Sequence, residues 1–297
     1  MNKYLEALRH PLKTAVSVTK YKFPQRMWKR YNLLAQQSGL KNLYFVLSFD
    51  CDTMEDAEVV LNVDTKLRAL GVNPVYAVPG ELLAKTPDTY KELAVRGSEF
   101  MNHGHTEHTF WNMKNNRHES CFFYDQIPLE DVRQDILQGH ESVTRIIGTA
   151  PTGYRAPHFG CFQSNSQLCF MHETLKELGY AYSSSTVPKH AFEKGPLFHF
   201  GPCAEFPVSG WWRNPTSIQD SWGYMGAPHA TLGPEGYLAH AKETATQFSK
   251  RDYAGILNYY ADPSHVHDKP EFFEAVKKWV EVTKPASYTD ILQDITR

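Results

Sequence analysis

The chain has no C-x-x-C pair, and its cysteines are odd in number: Cys51, Cys121, Cys161, Cys169 and Cys203. A zinc site built on paired thiolates and a disulfide framework are therefore not expected, and a reducing compartment is. No apolar run approaches the ~18 residues of a spanning helix. The N-terminus lacks the apolar middle segment of a secretion signal, so the expectation is a cytoplasmic protein. Neither charge sign dominates: the net charge is −2, which gives no polyanion signature and little footing for nucleic-acid binding. Internal repeats and low-complexity tracts are also missing. What remains is an ordinary globular composition, 297 residues with 41% hydrophobic and 22% charged, long enough for one large α/β domain or two smaller ones. Fourteen histidines raise the interest in a metal site.

The even overall charge hides an asymmetry. Residues 1–42 carry nine Lys and Arg against Glu6, so this segment is +8 and residues 43–297 are −10. Such a basic, aromatic-bearing extension can rest on an anionic membrane face or meet an anionic substrate, such as a nucleotide- or lipid-diphosphate-linked sugar. The plainer expectation is a terminal extension packed on the domain with its cations in solvent. The sequence thus divides into a basic extension, 1–42, and a domain, 43–297.

From residue 43 the pattern alternates β and α. Leu43–Phe49 is a continuous apolar run of strand length, as in a buried parallel strand. Helical periodicity runs over Glu55–Leu70, with Gly71 as its stop. Pro74–Val78 reads as a strand, Pro79–Gly80 as a turn, Thr86–Arg96 as a helix and Glu99–Asn102 as a third strand. Leu129–Ile147 is a long amphipathic helix ended by Gly148. Short strands are expected at Gly153–Ala156, Tyr180–Tyr182 and Ala204–Val208, and a last one at Gly255–Tyr260. Helices are expected at Ser166–Leu178, Gly236–Lys250 and Lys269–Val282. Residues 210–235 read as a long irregular loop, of a kind usually functional or mobile. Repeated β-then-α order predicts a parallel sheet, closed as a barrel or open and doubly wound.

In such folds ligands collect at the carboxyl ends of the strands, and the unusual polar residues stand there. Asp50-Cys51-Asp52 follows the first strand. In extended chain, Asp50 and Asp52 face one side and Cys51 the other. Two close carboxylates suit one cation ligand and one general base; the alternative is a solvated strand end that caps the next helix through Asp52 or Thr53. His103-Gly-His105-Thr-Glu107-His108 follows the third strand, with spacings that suit two ligands to one divalent ion. One Asp and two His would leave positions open for water and substrate, as in a catalytic centre. A His-rich surface loop is the alternative.

Three blocks in order carry a family resemblance: Ser48-Phe-Asp-Cys-Asp52, Gly97-Ser-Glu-Phe-Met-Asn-His103 running to His108, and Gly153-Tyr-Arg-Ala-Pro-His-Phe-Gly160. Over about residues 43–295 the chain resembles the NodB-like polysaccharide deacetylases, carbohydrate esterase family 4. The resemblance implies a distorted (β/α) barrel of about seven parallel strands and a divalent metal, commonly zinc, with cobalt, nickel or manganese as alternatives. By position it implies Asp50 as general base, Asp52, His103 and His108 as metal ligands, and Arg155 as the group that orients the base and lowers its pKa. It also implies the backbone N–H of His158 as an oxyanion donor.

Two departures stand out. The histidines are five apart where the family has four, so His105 or Glu107 is an alternative ligand, with His103 and His108 preferred. After the last strand, Tyr259-Tyr-Ala-Asp262-Pro263 puts Asp262 where the family has a histidine. Asp262 can donate a proton only if its pKa is raised; His265, His267 and His229 are the other candidates. Trp211, with Trp212, Trp222 and Tyr224 in the long loop, suits stacking on a sugar face, and loop anchoring is the alternative.

The expected function is a metal-dependent N-deacetylase acting on an acetylated amino sugar, in a cytoplasmic step of surface-glycan assembly such as O-antigen or capsule. The substrate would be nucleotide- or lipid-linked, with peripheral membrane contact and no nucleic acid. A cyclic amide or imide hydrolase of the same fold, and a sugar-binding relative without turnover, are the alternatives.

Overall fold

A computed structural model of the chain describes residues 23–227 and 230–296. Most of the basic extension and His229 lie outside these residues. Strands are β1 Leu43–Asp50, β2 Val75–Val78, β3 Glu99–Asn102, β4 Thr109–Asn112, β5 Arg117–Ser120, β6 Gly153–Tyr154, β7 Tyr182–Ser183, β8 Phe198–Phe200, β9 Cys203–Glu205, β10 Gly255–Ala261 and β11 Lys284–Pro285. The main sheet runs in the order β10-β1-β2-β3-β6-β7-β9-β8, with β11 beside β1. All of its pairings are parallel except β8 with β9. The sheet curls into a half-barrel of eight strands, the distorted barrel expected, with one antiparallel edge.

The open side is bridged by irregular chain. The Ser209 N–H donates to the Asn258 carbonyl at 2.8 Å, and the Val208 N–H to the Thr186 carbonyl at 3.0 Å. The Asn258 side-chain amide donates to the Phe206 and Pro207 carbonyls at 3.0 and 3.1 Å. One buried amide thus serves backbone groups that would otherwise be orphaned at a sheet edge.

Helices cover the outer face. The helix Met54–Ala69 starts with a capping box: the Thr53 side chain accepts from the Asp56 N–H, and the Asp56 side chain from the Thr53 N–H. The cap is therefore Thr53, which leaves the Asp52 carboxylate for other work. A second capping box, Ser164 with Gln167, opens Asn165–Glu177. The helix Leu129–Ile147 ends as expected at Gly148, at φ +87°. Gly80, expected in a turn, instead begins a short helix, Gly80–Lys85. Between these elements the chain forms the antiparallel hairpin β4–β5, which no periodicity in the sequence announces.

The helix Pro24–Gln37 belongs to the core. Trp28, Tyr31 and Ala35 are buried, the Trp28 indole N–H donates to the Trp212 carbonyl at 2.9 Å, and the Tyr31 hydroxyl donates to the Ile256 carbonyl at 2.5 Å. Burying a side chain of this size is worth about 1.5–3 kcal/mol. Residues 24–37 of the extension are thus packed on the domain. No helix among the described residues is long and apolar enough to cross a membrane.

Candidate active site

Parallel register brings the polar strand ends together. Phe49 is opposite Ala261, so Asp50 and Asp262 follow side by side. Asn102 is opposite Tyr154, so His103 and Arg155 do the same. With the hairpin and the 218–222 segment, these ends enclose a cavity of about 320 Å³, lined among others by Asp50, Asp52, His103, His158, Asp262 and His265. Cys51 points the other way, into the apolar core, as strand alternation requires.

One ligand atom each from Asp52, His103 and His108 lies within 4.8 Å of the others. Asp52 Oδ1 is 3.0 Å from His108 Nε2 and 3.4 Å from His103 Nε2. All three atoms are buried without an aligned hydrogen bond. Buried polar atoms are normally paired by aligned hydrogen bonds, and three that converge without one suit a shared cation. His103 Nδ1 donates to the Arg155 carbonyl at 2.8 Å, which fixes the tautomer and leaves the Nε2 lone pair facing the cluster. The donor set, one carboxylate and two imidazoles, fits a divalent ion of the zinc class.

The five-residue spacing is absorbed by a bulge stitched to a distant side chain. Asp135, on the helix Leu129–Ile147, accepts from the His105 N–H at 3.1 Å, the Thr106 N–H at 2.8 Å and the Thr106 hydroxyl at 2.6 Å. It also accepts from the Tyr124 hydroxyl at 2.6 Å. Gly104, at φ +78°, turns the chain there, and a side chain at that position would run into Asp135. His105 is consequently drawn away to Ser142 Oγ at 3.2 Å. Glu107 pairs with Lys85 at 2.6 Å. Neither joins the cluster, and His103 with His108 is the pair that does.

Asp50 stands beside this cluster and accepts from Arg155 Nη1 at 2.7 Å. Arg155 is fully buried and also donates to the Ser184 carbonyl at 3.0 Å, Ser184 Oγ at 3.0 Å and the Tyr288 hydroxyl at 2.9 Å. It is thus a fixed post for one carboxylate. Burial raises the Asp50 pKa by more than Arg155, which lowers it as expected, and His103 bring it down, so the net direction is upward.

At the neighbouring strand end, Asp262 accepts from the Ser221 hydroxyl at 2.7 Å, and its Oδ2 is 3.0 Å from His265 Nδ1. Burial lowers the His265 pKa, but Asp262 outweighs it and lifts the imidazole to about 9. His267 instead bonds the Ser264 carbonyl at 2.9 Å and does not line the cavity. His158 lines it in a left-handed conformation, φ +56°, with Nε2 donating to the Cys121 carbonyl at 2.8 Å. Trp211 is a correction: it stacks on His240 with centroids 4.3 Å apart, and Trp222 lines the cavity in its place. Sequence reasoning also missed Asp56, Asp220 and Tyr260 on the walls. The Tyr260 hydroxyl donates to Asp220 at 2.7 Å, a pairing across forty residues that no local signal marks.

Residues 39–183 match the family model named polysaccharide deacetylase. No curated protein matches the sequence. Among solved structures, the chain is similar to one named as a polysaccharide deacetylase from Mycobacterium smegmatis, at 18% identity and TM-score 0.64, over 87% of this chain and 91% of that one. A structure named as an allantoinase is similar at 11% identity and TM-score 0.62, over 85% and 90%. A carbohydrate esterase 4 pseudoenzyme from Bacillus anthracis is similar at 10% identity and TM-score 0.53, over 84% and 66%. Identities this low speak for the fold, and the fold is the one the sequence resemblance implied.

Proposed function

We propose, from a chain whose family match and fold are those of the polysaccharide deacetylases, a metal-dependent N-deacetylase that removes acetyl from an acetamido sugar. The observation that carries this reading is the convergence of the unpaired Asp52, His103 and His108 atoms beside an Asp50 held by buried Arg155. Asp52, His103 and His108 would hold the ion, which when bound supplies Lewis acidity to the amide oxygen and the attacking water.

The remaining roles fall to the chain's own groups. Asp50 accepts the proton as water attacks the carbonyl carbon, and a carboxylate whose pKa burial has raised suits a general base. Arg155 is a positioning residue: its fork fixes which Asp50 oxygen faces the cavity. The His158 backbone N–H is the proposed oxyanion donor. Breaking the C–N bond requires a proton on the leaving nitrogen. Asp262 and His265 supply it as a pair, the imidazolium donating and the carboxylate keeping it charged. Acetate and a free amine result.

Among the described residues the cavity walls carry Asp50, Asp52, Asp56, Asp220 and Asp262, with His265 beside Asp262 and no Lys or Arg. The inserted ring is therefore neutral or amine-bearing, and a nucleotide or lipid diphosphate would lie outside the mouth. A setting in surface-glycan assembly at the inner membrane face belongs to the same proposal.

Acetate release from a panel of N-acetylated sugars, with cyclic imides alongside, tests it. Chelator and Asp52→Asn should remove both bound metal and release. Asp50→Asn should keep the metal and lose about 10²- to 10⁴-fold in rate. Full release in chelator would overturn the site. Ring opening of imides alone would move the reaction to cyclic amides, and sugar binding without release would make the chain a non-catalytic relative.

A further inference from the structure

The β4–β5 hairpin leaves the domain directly after His108 and returns to it at Cys121, whose N–H donates to the His108 carbonyl at 2.8 Å. Its root is tied to the site, with the Thr109 hydroxyl donating to the Asp52 carbonyl at 3.0 Å and His118 and Ser120 lining the cavity. Its outer part holds large apolar side chains in solvent: Phe110 and Trp111 are each 47% exposed and Met113 is 88% exposed, with Met54, on the helix that follows Asp52, at 45%. Among the described residues, four of the nine large apolar side chains left exposed are thus on this hairpin or, for Met54, next to the cavity-lining Thr53. A concentration of this kind marks an interaction site.

We propose that this hairpin is a membrane-contact element, seating its tip in an anionic lipid surface and holding the cavity mouth against the headgroups. Shape decides among the possible occupants. Phe110 and Trp111 are adjacent on one strand and so point to opposite faces, and Met113 is at the turn. A sugar-stacking platform needs one flat face, and a peptide groove needs a hollow; this is a wedge with one exposed aromatic side chain on each face, among polar neighbours, and an exposed methionine at its tip. Four residues of strand reach about 13 Å, enough for the 5–10 Å depth of the headgroup–acyl boundary. An indole with a neighbouring lysine is the pair that prefers this boundary.

Charge points the same way. Lys114 is exposed at the turn. The hairpin's acid, Glu119, is occupied by Asn112 at 2.8 Å, Asn115 at 2.6 Å and Arg117 at 2.8 Å. The tip therefore offers a cation on a domain whose net charge is −10. This surface is independent of the deacetylase reading and of residues 1–22.

The test is co-sedimentation of the full chain with vesicles of phosphatidylcholine alone and with about a third phosphatidylglycerol. The full chain should bind the anionic vesicles more tightly. The triple substitution Phe110→Ser, Trp111→Ser, Met113→Ser should lower partitioning at least about tenfold with an unchanged circular dichroism spectrum. Lys114→Ala should cost about fivefold on anionic vesicles and little on neutral ones. Equal partitioning of the triple variant would overturn the proposal. So would the absence of vesicle binding by the full chain, or binding that survives the triple substitution and disappears when residues 1–22 are removed.

Discussion

Asp135→Asn tests how the bulge between the two histidines is held. Two carboxylate oxygens serve four donors: the His105 and Thr106 N–H groups and the Thr106 and Tyr124 hydroxyls. An amide keeps the shape but has one acceptor oxygen, so at least one backbone N–H comes to face an NH₂ group. Leaving such a donor unpaired costs about 1–3 kcal/mol. The hydroxyls can rotate and the N–H groups cannot, so the loss falls on the backbone between His103 and His108. A metal ion must then supply the order that Asp135 no longer provides, and the cost appears as metal affinity weakened about 10- to 100-fold. Thr106→Val removes the hydroxyl bond alone and should cost about fivefold. The assay is zinc titration against a chromophoric chelator, with circular dichroism to show that each variant is folded. An Asp135→Asn affinity within about twofold of the parent would refute the reasoning.

Arg155→Met should destabilise by about 3–5 kcal/mol in denaturant titration, because it leaves Asp50 buried without its cation; an unchanged midpoint would show that water replaces the guanidinium. The Asp262–His265 pair predicts pH dependence of two kinds. His265 is raised in the folded chain to about 9, so its stabilising contribution is full below the unfolded value near 6.5 and is lost as pH rises through about 9. Deacetylase rate should fall over the same alkaline range, and His265→Gln should abolish that limb; a limb that persists would move the proton donor elsewhere. Gly104→Ala forces a side chain toward Asp135 at a positive φ, and it should weaken metal binding at least as much as Asp135→Asn; affinity equal to the parent's would show that the bulge adapts.

How much of this was legible in advance depended on distance along the chain. Leu43–Asp50, its helix and the helix Leu129–Ile147 follow from periodicity and from capping and stop residues that act within a few positions. The facing of Asp50 and Asp52 follows from strand alternation alone. The order of the three motif blocks, through the resemblance they carry, pointed to the barrel and to the convergence of Asp52, His103 and His108, because parallel strands deliver their carboxyl ends to one edge. The β4–β5 hairpin was not legible, because its strands are short, exposed and without a buried face to impose alternation.

Other decisions needed the folded chain. The choice of His103 and His108 over His105 and Glu107 was made by Asp135 and Lys85, tens of residues away, which hold the two alternatives elsewhere. Trp222 replaced Trp211 because His240 provides Trp211 with a stacking partner. The direction of Asp50's pKa turned on burial against a single guanidinium, which motif spacing does not measure. Local conformation is encoded by near neighbours, so the sequence by itself determined the elements and the residues at their ends. Which side chains meet there, and how much water they keep, depends on sheet register and helix packing, and only the tertiary structure decided it.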